Sequence, residues 1–288
     1  MKIDANSVTF EPQDMAFVKK FGILEATEMA LDYHAEHPNL PFLYDAEQLA
    51  GFLGISRGEL NDIVNHIQKE YKEAHLPKKD GTCRSLCVPS IRLRFCQDPI
   101  KEKILPQLPV SKFATAYQKG STTRGNAEPH IGKKFLLKLD ITDFFGSITF
   151  EQVQRTAFNT RYVSRQVGYL LTSLCCKDDS LPQGAATSPA LSNIVMYRFD
   201  DYIGRWCSQR QIAYTRYCDD MTFSANRPLY GVYQKVKTML REMGFELNES
   251  KTHFIGNDNR QSVTGLVVNE KLSIPSSYKR NLRQEIYY

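Results

Sequence analysis

Apolar residues recur about once per helical turn in the first part of the chain. They stand at positions 15, 18, 21, 24 and 29, and the proline at position 38 blocks further extension of a helix. The spacing predicts one helix over residues 14–36. Similar patterns predict further helices near residues 45–53 and 57–73.

The rest of the chain alternates strand-like runs with turn residues. A hairpin is predicted over residues 76–86, where basic residues flank an Asp-Gly turn. The apolar run at residues 135–137 predicts a buried strand that ends on Asp140. The β-branched and aromatic segments 212–216 and 221–225 predict a second hairpin. Together with the helices, these strands predict a mixed α/β (α+β) fold.

Adjacent carboxylates stand on the turn of the second hairpin, at Asp219 and Asp220. Two unit charges repel by about 1 kcal/mol at ~4 Å in water and by about 4 kcal/mol at an effective dielectric near 20, so an enclosed pair favours a bound cation. Mg²⁺ is a hard ion that prefers such oxygen ligands, and Mn²⁺ can replace it. A solvated Asp-Asp turn is the alternative interpretation.

A second acidic position is Asp140, where the buried strand ends. Two-metal phosphoryl transfer uses carboxylates from separate segments to hold two ions ~3.5–4 Å apart, one at the attacking 3′-hydroxyl and one at the leaving pyrophosphate. We therefore assign Asp140 and Asp219 as ligands of both ions, with Ile141 as a further ligand and Asp220 as a secondary ligand or an orienting group. The three aspartates are the candidate catalytic residues.

A glycine-containing segment lies between the two acidic positions, at residues 181–189. Gly184 allows the backbone to approach a ligand closely, and Gln183 is placed to hydrogen-bond the sugar or base of a bound nucleotide. A helix is predicted to begin near Ser188, with Pro189 at its first helical position.

The order of these segments resembles that of a reverse transcriptase. The resemblance covers most of residues 75–275 and implies a right-hand polymerase with fingers and palm. The matching segments are residues 139–145 (Leu-Asp-Ile-Thr-Asp-Phe-Phe), 181–189 (Leu-Pro-Gln-Gly-Ala-Ala-Thr-Ser-Pro), 217–220 (Tyr-Cys-Asp-Asp), 244–252 and 263–266.

Two shorter elements indicate a subgroup. Residues 126–130, Asn-Ala-Glu-Pro-His, are similar to the Asn-Ala-x-x-His element of retron reverse transcriptases, and the Val-Thr-Gly at residues 263–265 matches their second marker. Taken alone, the asparagine and histidine are more typical of a turn and a satisfied polar residue. Together the elements favour a retron enzyme. The candidate RNA-binding or subgroup-marker residues are Asn126, His130, Val263, Thr264 and Gly265.

The resemblance also implies roles for three basic side chains. The hairpin at residues 76–86 corresponds to a fingertip loop, in which Arg84 pairs with or stacks on the incoming nucleotide and Lys79 meets its terminal phosphate. Lys251 is expected near the outgoing pyrophosphate, as a proton donor. The alternative for each is a solvated surface charge.

Phe145 occupies the position where reverse transcriptases carry a bulky ring that clashes with a ribose 2′-hydroxyl. The resemblance therefore implies that Phe145 selects deoxynucleotides by size exclusion. Ordinary core packing is the alternative for a phenylalanine.

The implied domain organisation has four parts. They are an N-terminal helical region at 1–74 that leads into the fingers, fingers at 75–134, a palm at 135–270 with a fingers insertion near 155–182, and the start of a thumb at 271–288. Reverse transcriptases usually continue into a longer helical thumb. We therefore expect the thumb to be truncated or nearly absent here.

Composition agrees with this interpretation. The chain has 37 basic and 32 acidic residues, a net charge of +5, so any surface that binds nucleic acid must be locally positive. The seven cysteines lack zinc-site spacing and are expected as reduced thiols. No run resembles a signal peptide or a membrane span, so we expect a cytoplasmic protein without a membrane partner.

The resemblance implies an RNA-directed DNA polymerase that copies a structured non-coding RNA into single-stranded DNA. In retrons a guanosine 2′-hydroxyl of that RNA is the primer, the product is a branched RNA–DNA molecule, and the enzyme acts in antiviral defence with a separate effector. The expected partners are thus this RNA, its DNA product, deoxynucleotides and an effector protein. The alternatives are another bacterial reverse transcriptase, of intron or abortive-infection type, and an RNA-binding scaffold with a dormant site.

Overall fold

The computed structural model of the chain describes residues 1–4, 7–77 and 83–287. It combines helices with antiparallel sheets, as the sequence predicts. The strands in this part of the chain are β1 Lys2–Asp4, β2 Ser7–Thr9, β3 Tyr71–Pro77, β4 Cys83–Pro89, β5 Phe135–Asp140, β6 Ala213–Tyr217, β7 Asp220–Ala225, β8 His253–Gly256, β9 Ser262–Val263 and β10 Leu266–Val267. The α-helices are α1 Met15–Phe21, α2 Ile23–Glu36, α3 Ala46–Leu53, α4 Arg57–Asn65, α5 Ile91–Pro99, α6 Thr123–Ala127, α7 Phe150–Thr156, α8 Arg165–Cys175, α9 Ser188–Ser208, α10 Tyr230–Glu242 and α11 Ser276–Tyr287.

The helix predicted over residues 14–36 is interrupted at Gly22. This residue has φ 80° and ψ 159°, a conformation that side-chain-bearing residues rarely adopt, so α1 ends there and α2 starts at Ile23. The prediction of a single helix is wrong because the glycine turns the chain without breaking the apolar period. The end of α2 at Glu36 is as predicted.

The helix predicted over residues 57–73 is also too long, because α4 ends at Asn65. From Tyr71 the chain is a strand, and every residue of β3 pairs with a residue of β4, starting with Tyr71 opposite Pro89. The continuous ladder of cross-strand hydrogen bonds outweighs the weak helical spacing of this segment.

The hairpin predicted around residues 76–86 is confirmed in its two arms, β3 and β4. Residues 78–82, with the predicted Asp-Gly turn and the predicted phosphate ligand Lys79, lie outside the described residues. The hairpin is longer than predicted because pairing extends back to Tyr71.

The chain divides into two compact units. The first consists of Met1–Pro109 and Ile148–Val195, and the second of Val110–Ser147 and Met196–Tyr288. Helix α9 runs from the first unit into the second. The first unit is mainly helical, and its core contains Phe17, Leu49 and Leu60, all fully buried.

The second unit is built on a four-stranded antiparallel sheet with strand order β6-β7-β5-β8. One face carries apolar side chains, and the rings of Tyr214 and Phe223 stack on it with centroids 4.6 Å apart. The opposite face carries the polar side chains of Thr215, Thr222 and Ser224, which are also buried. The strand period of two therefore separates an apolar layer from a polar layer within one sheet.

All seven cysteines are free thiols, as predicted.

None of the helices within the described residues combines the length and the apolar character that crossing a bilayer requires.

Candidate active site

The turn that joins β6 and β7 holds the paired carboxylates. Tyr217 pairs with Asp220, so Cys218 and Asp219 form a two-residue hairpin loop. Cys218 has φ 62°, a left-handed conformation that costs a residue with a side chain about 1–3 kcal/mol. Such strain persists only where neighbouring contacts hold it. The predicted hairpin is confirmed, and its turn is tight.

The third carboxylate lies on the neighbouring strand. Asp140 is the last residue of β5 and stands directly opposite Asp220 of β7. The backbone N–H of Ile141 donates to the carbonyl oxygen of Asp219 at 3.2 Å, which fixes the turn against the end of β5. Like charges directly opposite each other across two strands are destabilising. The fold thus gathers the three predicted aspartates at one end of the sheet.

Burial and mutual repulsion both act on the carboxylates of this cluster. Burial raises the pKa of Asp220, and the nearby charges of Asp219 and Asp140 raise it further. Lys251 partly offsets this repulsion: its ammonium lies 3.0 Å from both carboxylate oxygens of Asp140. That hydrogen bond raises the pKa of Lys251, so its side chain remains an ammonium at neutral pH.

The donor set suits a hard divalent cation. Three carboxylates supply only oxygen ligands, which Mg²⁺ prefers, and Asp140 already attracts the ammonium of Lys251. Among the described residues, however, no three acidic, histidine or cysteine side chains converge tightly enough to form a ready-made metal cluster. The site is therefore acidic and attracts cations, although its three carboxylates do not form a compact cage.

A buried ion pair lies behind the turn, on the apolar face of the sheet. The guanidinium of Arg216 donates to both carboxylate oxygens of Asp200, at 3.0 Å from Nε and 2.6 Å from Nη2, and Tyr214 donates to the same carboxylate at 2.6 Å. Nη1 of Arg216 donates to the carbonyl oxygen of Cys218 at 2.8 Å. None of the predicted site residues belongs to this group. One sequence signal could have revealed this ion pair. Arg216 carries a charge at a strand position that faces the apolar layer.

The two subgroup markers meet in the interior. Asn126 is buried. Its side-chain amide nitrogen donates to the hydroxyl of Thr264 at 3.3 Å, and its side-chain oxygen Oδ1 accepts from the hydroxyl of Thr115 at 2.6 Å. Ala127 and Val263 pack in one hydrophobic cluster. The two markers, 137 residues apart at Asn126 and Val263, therefore form one structural connection.

The conformation of the second marker depends on this connection. Thr264 and Gly265 both have positive φ, 44° and 82°, as a two-residue turn between antiparallel strands requires. For a β-branched threonine this conformation is unusual, and its hydroxyl is held by a bond to the carbonyl oxygen of Thr123 at 3.1 Å.

His130 is fully buried under the polar face of the sheet. Its ring nitrogens lie 2.7 Å from the hydroxyl of Ser224 and 2.9 Å from that of Thr215. Burial lowers the pKa of His130 to about 3, and the charge of Lys133 acts in the same direction. The imidazole is therefore neutral and ties β6 to β7.

This buried histidine predicts a loss of stability in acid. An unfolded histidine takes up a proton near pH 6.5 and the folded one does not, so the contribution of His130 is complete above that pH and is lost as pH falls towards 3. Between pH 7 and pH 4 we expect the free energy of unfolding of the parent to fall by about 3 kcal/mol more than that of His130→Gln. Urea unfolding at each pH measures this difference, with the exposed His253→Gln as the control. Identical pH slopes for parent and His130→Gln would contradict it.

The predicted nucleotide ligands Arg84, Gln183 and Gly184 belong to the first unit. The backbone N–H of Cys87 in β4 donates to the carbonyl oxygen of Gln183 at 2.7 Å. Arg84 is exposed on the same strand, three residues earlier. The fold thus brings the Gln183 segment against the strand that carries Arg84.

Gly184 is required by this close approach. Its φ is 125°, and a Cβ atom there would lie 2.8 Å from the carbonyl oxygen of Cys87, a backbone atom that cannot rotate away. Gly184→Ala is therefore expected to lower the free energy of unfolding by about 2 kcal/mol, measured by urea unfolding. Gly58→Ala is the matched control in the same unit, because its nearest atom is 3.9 Å away and its stability should be unchanged or higher. Equal stability of the two variants would contradict the steric argument.

Phe145 lies in the turn that follows β5, in the same unit as the aspartates. Its half-buried ring is 5.6 Å from that of the buried Phe144, which in turn lies 6.2 Å from Phe245. The ring is thus supported from behind by a fixed aromatic side chain. Its predicted selection of the sugar remains a prediction.

Comparison with known proteins agrees with this geometry. Residues 76–268 match the family model described as "Reverse transcriptase (RNA-dependent DNA polymerase)". The Retron Ec86 reverse transcriptase of Escherichia coli is 28% identical over 270 residues, covering 92% of this chain and 84% of the relative. The Retron Ec83 reverse transcriptase of the same species is 33% identical over 233 residues, covering 75% of each chain.

A solved structure shares the fold. The structure of telomerase from Candida albicans in complex with a TWJ fragment of telomeric RNA superimposes with a TM-score of 0.51 at 12% identity, over 73% of this chain and 48% of that chain. This likeness concerns the fold alone. With the family match over most of the chain and the retron relatives, it follows that this chain belongs to the reverse transcriptases, which are RNA-directed DNA polymerases, and within them to the retron group.

Proposed function

We propose that the protein copies a structured non-coding RNA into single-stranded DNA, starting from a 2′-hydroxyl of that RNA and yielding a branched RNA–DNA product. The observation that carries the proposal is the meeting of the two retron markers, where Asn126 bonds Thr264 in the interior. An enzyme of intron or abortive-infection type does not require this pair. The retron relatives support the same assignment.

The chemistry is nucleotidyl transfer at the cluster of three aspartates. Asp140 and Asp219 would hold two Mg²⁺ ions, with Asp220 and Ile141 as further ligands. When bound, Mg²⁺ neutralises charge on the phosphates and lowers the pKa of the attacking 3′-hydroxyl. Hard oxygen donors and the raised pKa of Asp220, which burial and the charges of Asp219 and Asp140 cause, support this assignment.

Lys251 is the proposed acid of the reaction. It is 58% exposed and reaches Asp140 with its ammonium, so it carries a transferable proton beside the carboxylate cluster. That proton would go to the leaving pyrophosphate, whose charge grows in the transition state.

The proposed ligands of the incoming deoxynucleotide are three polar side chains of the first unit. Arg84 would pair with or stack on the nucleotide, Lys79 would meet its terminal phosphate, and Gln183 would hydrogen-bond its sugar or base. The close packing of Gly184 on β4 supports the placement of Gln183. A bidentate arginine contact is specific for planar oxygen pairs, so Arg84→Lys would not be conservative.

A dormant RNA-binding scaffold is the candidate from another functional class. A scaffold has no need of three aspartates that repel each other, because such a cluster lowers stability. The intact set of Asp140, Asp219 and Asp220 therefore favours an active enzyme. An antiviral role with a separate effector follows from the retron assignment and is proposed with it.

The test begins with the RNA that copurifies with the protein. Sequencing it should return one structured RNA, and adding labelled deoxynucleotides with Mg²⁺ should extend it into DNA. The junction should be cleaved by an enzyme specific for 2′–5′ branches. Absence of incorporation by the parent with this RNA would favour the scaffold, whereas incorporation without a branch would favour another type of reverse transcriptase.

A further inference from the structure

Arg216 and Asp200 form an ion pair that solvent does not reach. The side chains of both residues are 0% exposed, and Arg216 is among the largest fully buried side chains of the described chain. Its guanidinium lies 5.8 Å from the centre of the Phe144 ring. Tyr214 also donates a hydrogen bond to the Asp200 carboxylate. We call Tyr214, Asp200 and Arg216 the buried triad.

The buried triad ends on the catalytic turn. Nη1 of Arg216 donates to the carbonyl oxygen of Cys218, the strained residue that precedes Asp219. The N–H of Ile141, the residue that follows β5, donates to the carbonyl oxygen of Asp219. The two peptide carbonyls of the turn are thus each held by a hydrogen bond, one from a side chain and one from the backbone.

Stability alone does not explain a buried ion pair. Two desolvated charges gain little over well-packed apolar side chains of similar volume, and replacing such a group is often neutral or stabilising. What apolar side chains cannot supply is a hydrogen bond to the Cys218 carbonyl. The distinctive contribution of Arg216 is therefore the hydrogen bond that fixes the position of the Cys218 carbonyl.

We propose that Arg216 is a positioning residue, which Asp200 and Tyr214 orient so that its Nη1 fixes the Cys218-Asp219 turn and with it the Asp219 carboxylate. The inference rests on the proposed catalytic role of Asp219. It assigns a function in polymerisation to three side chains that touch no substrate.

Two variants separate positioning from stability. Tyr214→Phe/Asp200→Leu/Arg216→Met replaces the buried triad by apolar side chains and should keep the melting temperature within about 5 °C of the parent. Arg216→Lys keeps a cation beside Asp200 but loses the planar fork. Val236→Ala is the control, because it opens a cavity in the fully buried part of α10, away from the turn.

The measurement is pre-steady-state extension of a defined RNA template with a DNA primer, with primer–template in excess over the protein. In both triad variants the rate per active molecule should fall about 100-fold, while the apparent Kd of the deoxynucleotide changes by less than about threefold. A purely structural defect would instead lower the burst amplitude, which counts active molecules, and leave the rate unchanged. Val236→Ala should lower the burst amplitude and leave the rate unchanged.

The inference is overturned if either triad variant folds and extends within about threefold of the parental rate. If the apolar triple variant does not fold, Arg216→Lys decides the question alone. An inactive parent, or a fully active Asp219→Asn, would contradict the proposed function itself. If Asp219→Asn is inactive but the triad variants extend at the parental rate, only the proposed role of Arg216 is contradicted.

Discussion

Replacing Asp219 with asparagine is expected to lower the rate of deoxynucleotide incorporation about 10³-fold, which corresponds to about 4 kcal/mol of transition-state stabilisation. Asparagine preserves the size of the side chain and the backbone bonds of the turn, but it removes the negative charge that would hold a divalent cation between Asp219 and Asp140. Single-turnover extension with saturating Mg²⁺ measures the loss.

The same substitution should not weaken the fold. The charge of Asp219 raises the pKa of Asp220, so the two carboxylates repel each other and removing one charge relieves that repulsion. The melting temperature of Asp219→Asn in the presence of EDTA should therefore equal or exceed that of the parent. Asp258→Asn, an exposed carboxylate in the loop after β8, is the control and should retain the full rate. A full rate for Asp219→Asn would exclude it as a metal ligand.

Local features of the site could be predicted from the sequence. The strand that ends on Asp140 and the hairpin around Asp219 are each encoded within about a dozen residues, because apolar alternation and a polar turn specify strand, turn and register together. That Asp140 and Asp219 serve one metal site was a prediction from the sequence, whereas the pairing of β5 with β7 is a finding of the structure. The four-stranded antiparallel sheet brings them together as expected.

Contacts between distant segments could not be predicted in the same way. Arg216 pairs with Asp200 of α9, and Lys251 pairs with Asp140 across 111 residues. Spacing within one element carries no information about which residue of another element faces it. The one available signal was that Arg216 occupies a position with Tyr214 on the apolar face of the sheet, where a charge requires a buried partner.

The contacts of the subgroup markers agree with the alternative interpretation, in which the asparagine and the histidine are satisfied polar residues. Asn126 and His130 are buried, so the contacts they make in this structure are with Thr264, Thr215 and Ser224 and not with solvent. They join the β9–β10 hairpin and the polar face of the sheet. Gly265, in contrast, is exposed at the tip of that hairpin.

The second large effect is expected at Phe145. Phe145→Ala should increase the relative incorporation of ribonucleotides about 10²-fold, because it removes the ring that would collide with a 2′-hydroxyl. A ring can exclude a single hydroxyl only if it does not yield, and Phe145 packs against the buried Phe144, which in turn packs against Phe245. Competition between matched ribo- and deoxynucleotides in primer extension measures the ratio.

Phe145→Tyr is the matched control, since it keeps the ring and should keep the parental preference for deoxynucleotides. The alternative, simple packing of Phe145 in the core, predicts a different pattern. In that case the alanine variant would lose stability by about 3–5 kcal/mol, the cost of truncating a buried phenylalanine, with an unchanged ratio of the two nucleotides. Because Phe145 is only half-buried, we expect a smaller loss of stability and a changed ratio. The two readouts together therefore decide between a sugar gate and a core residue.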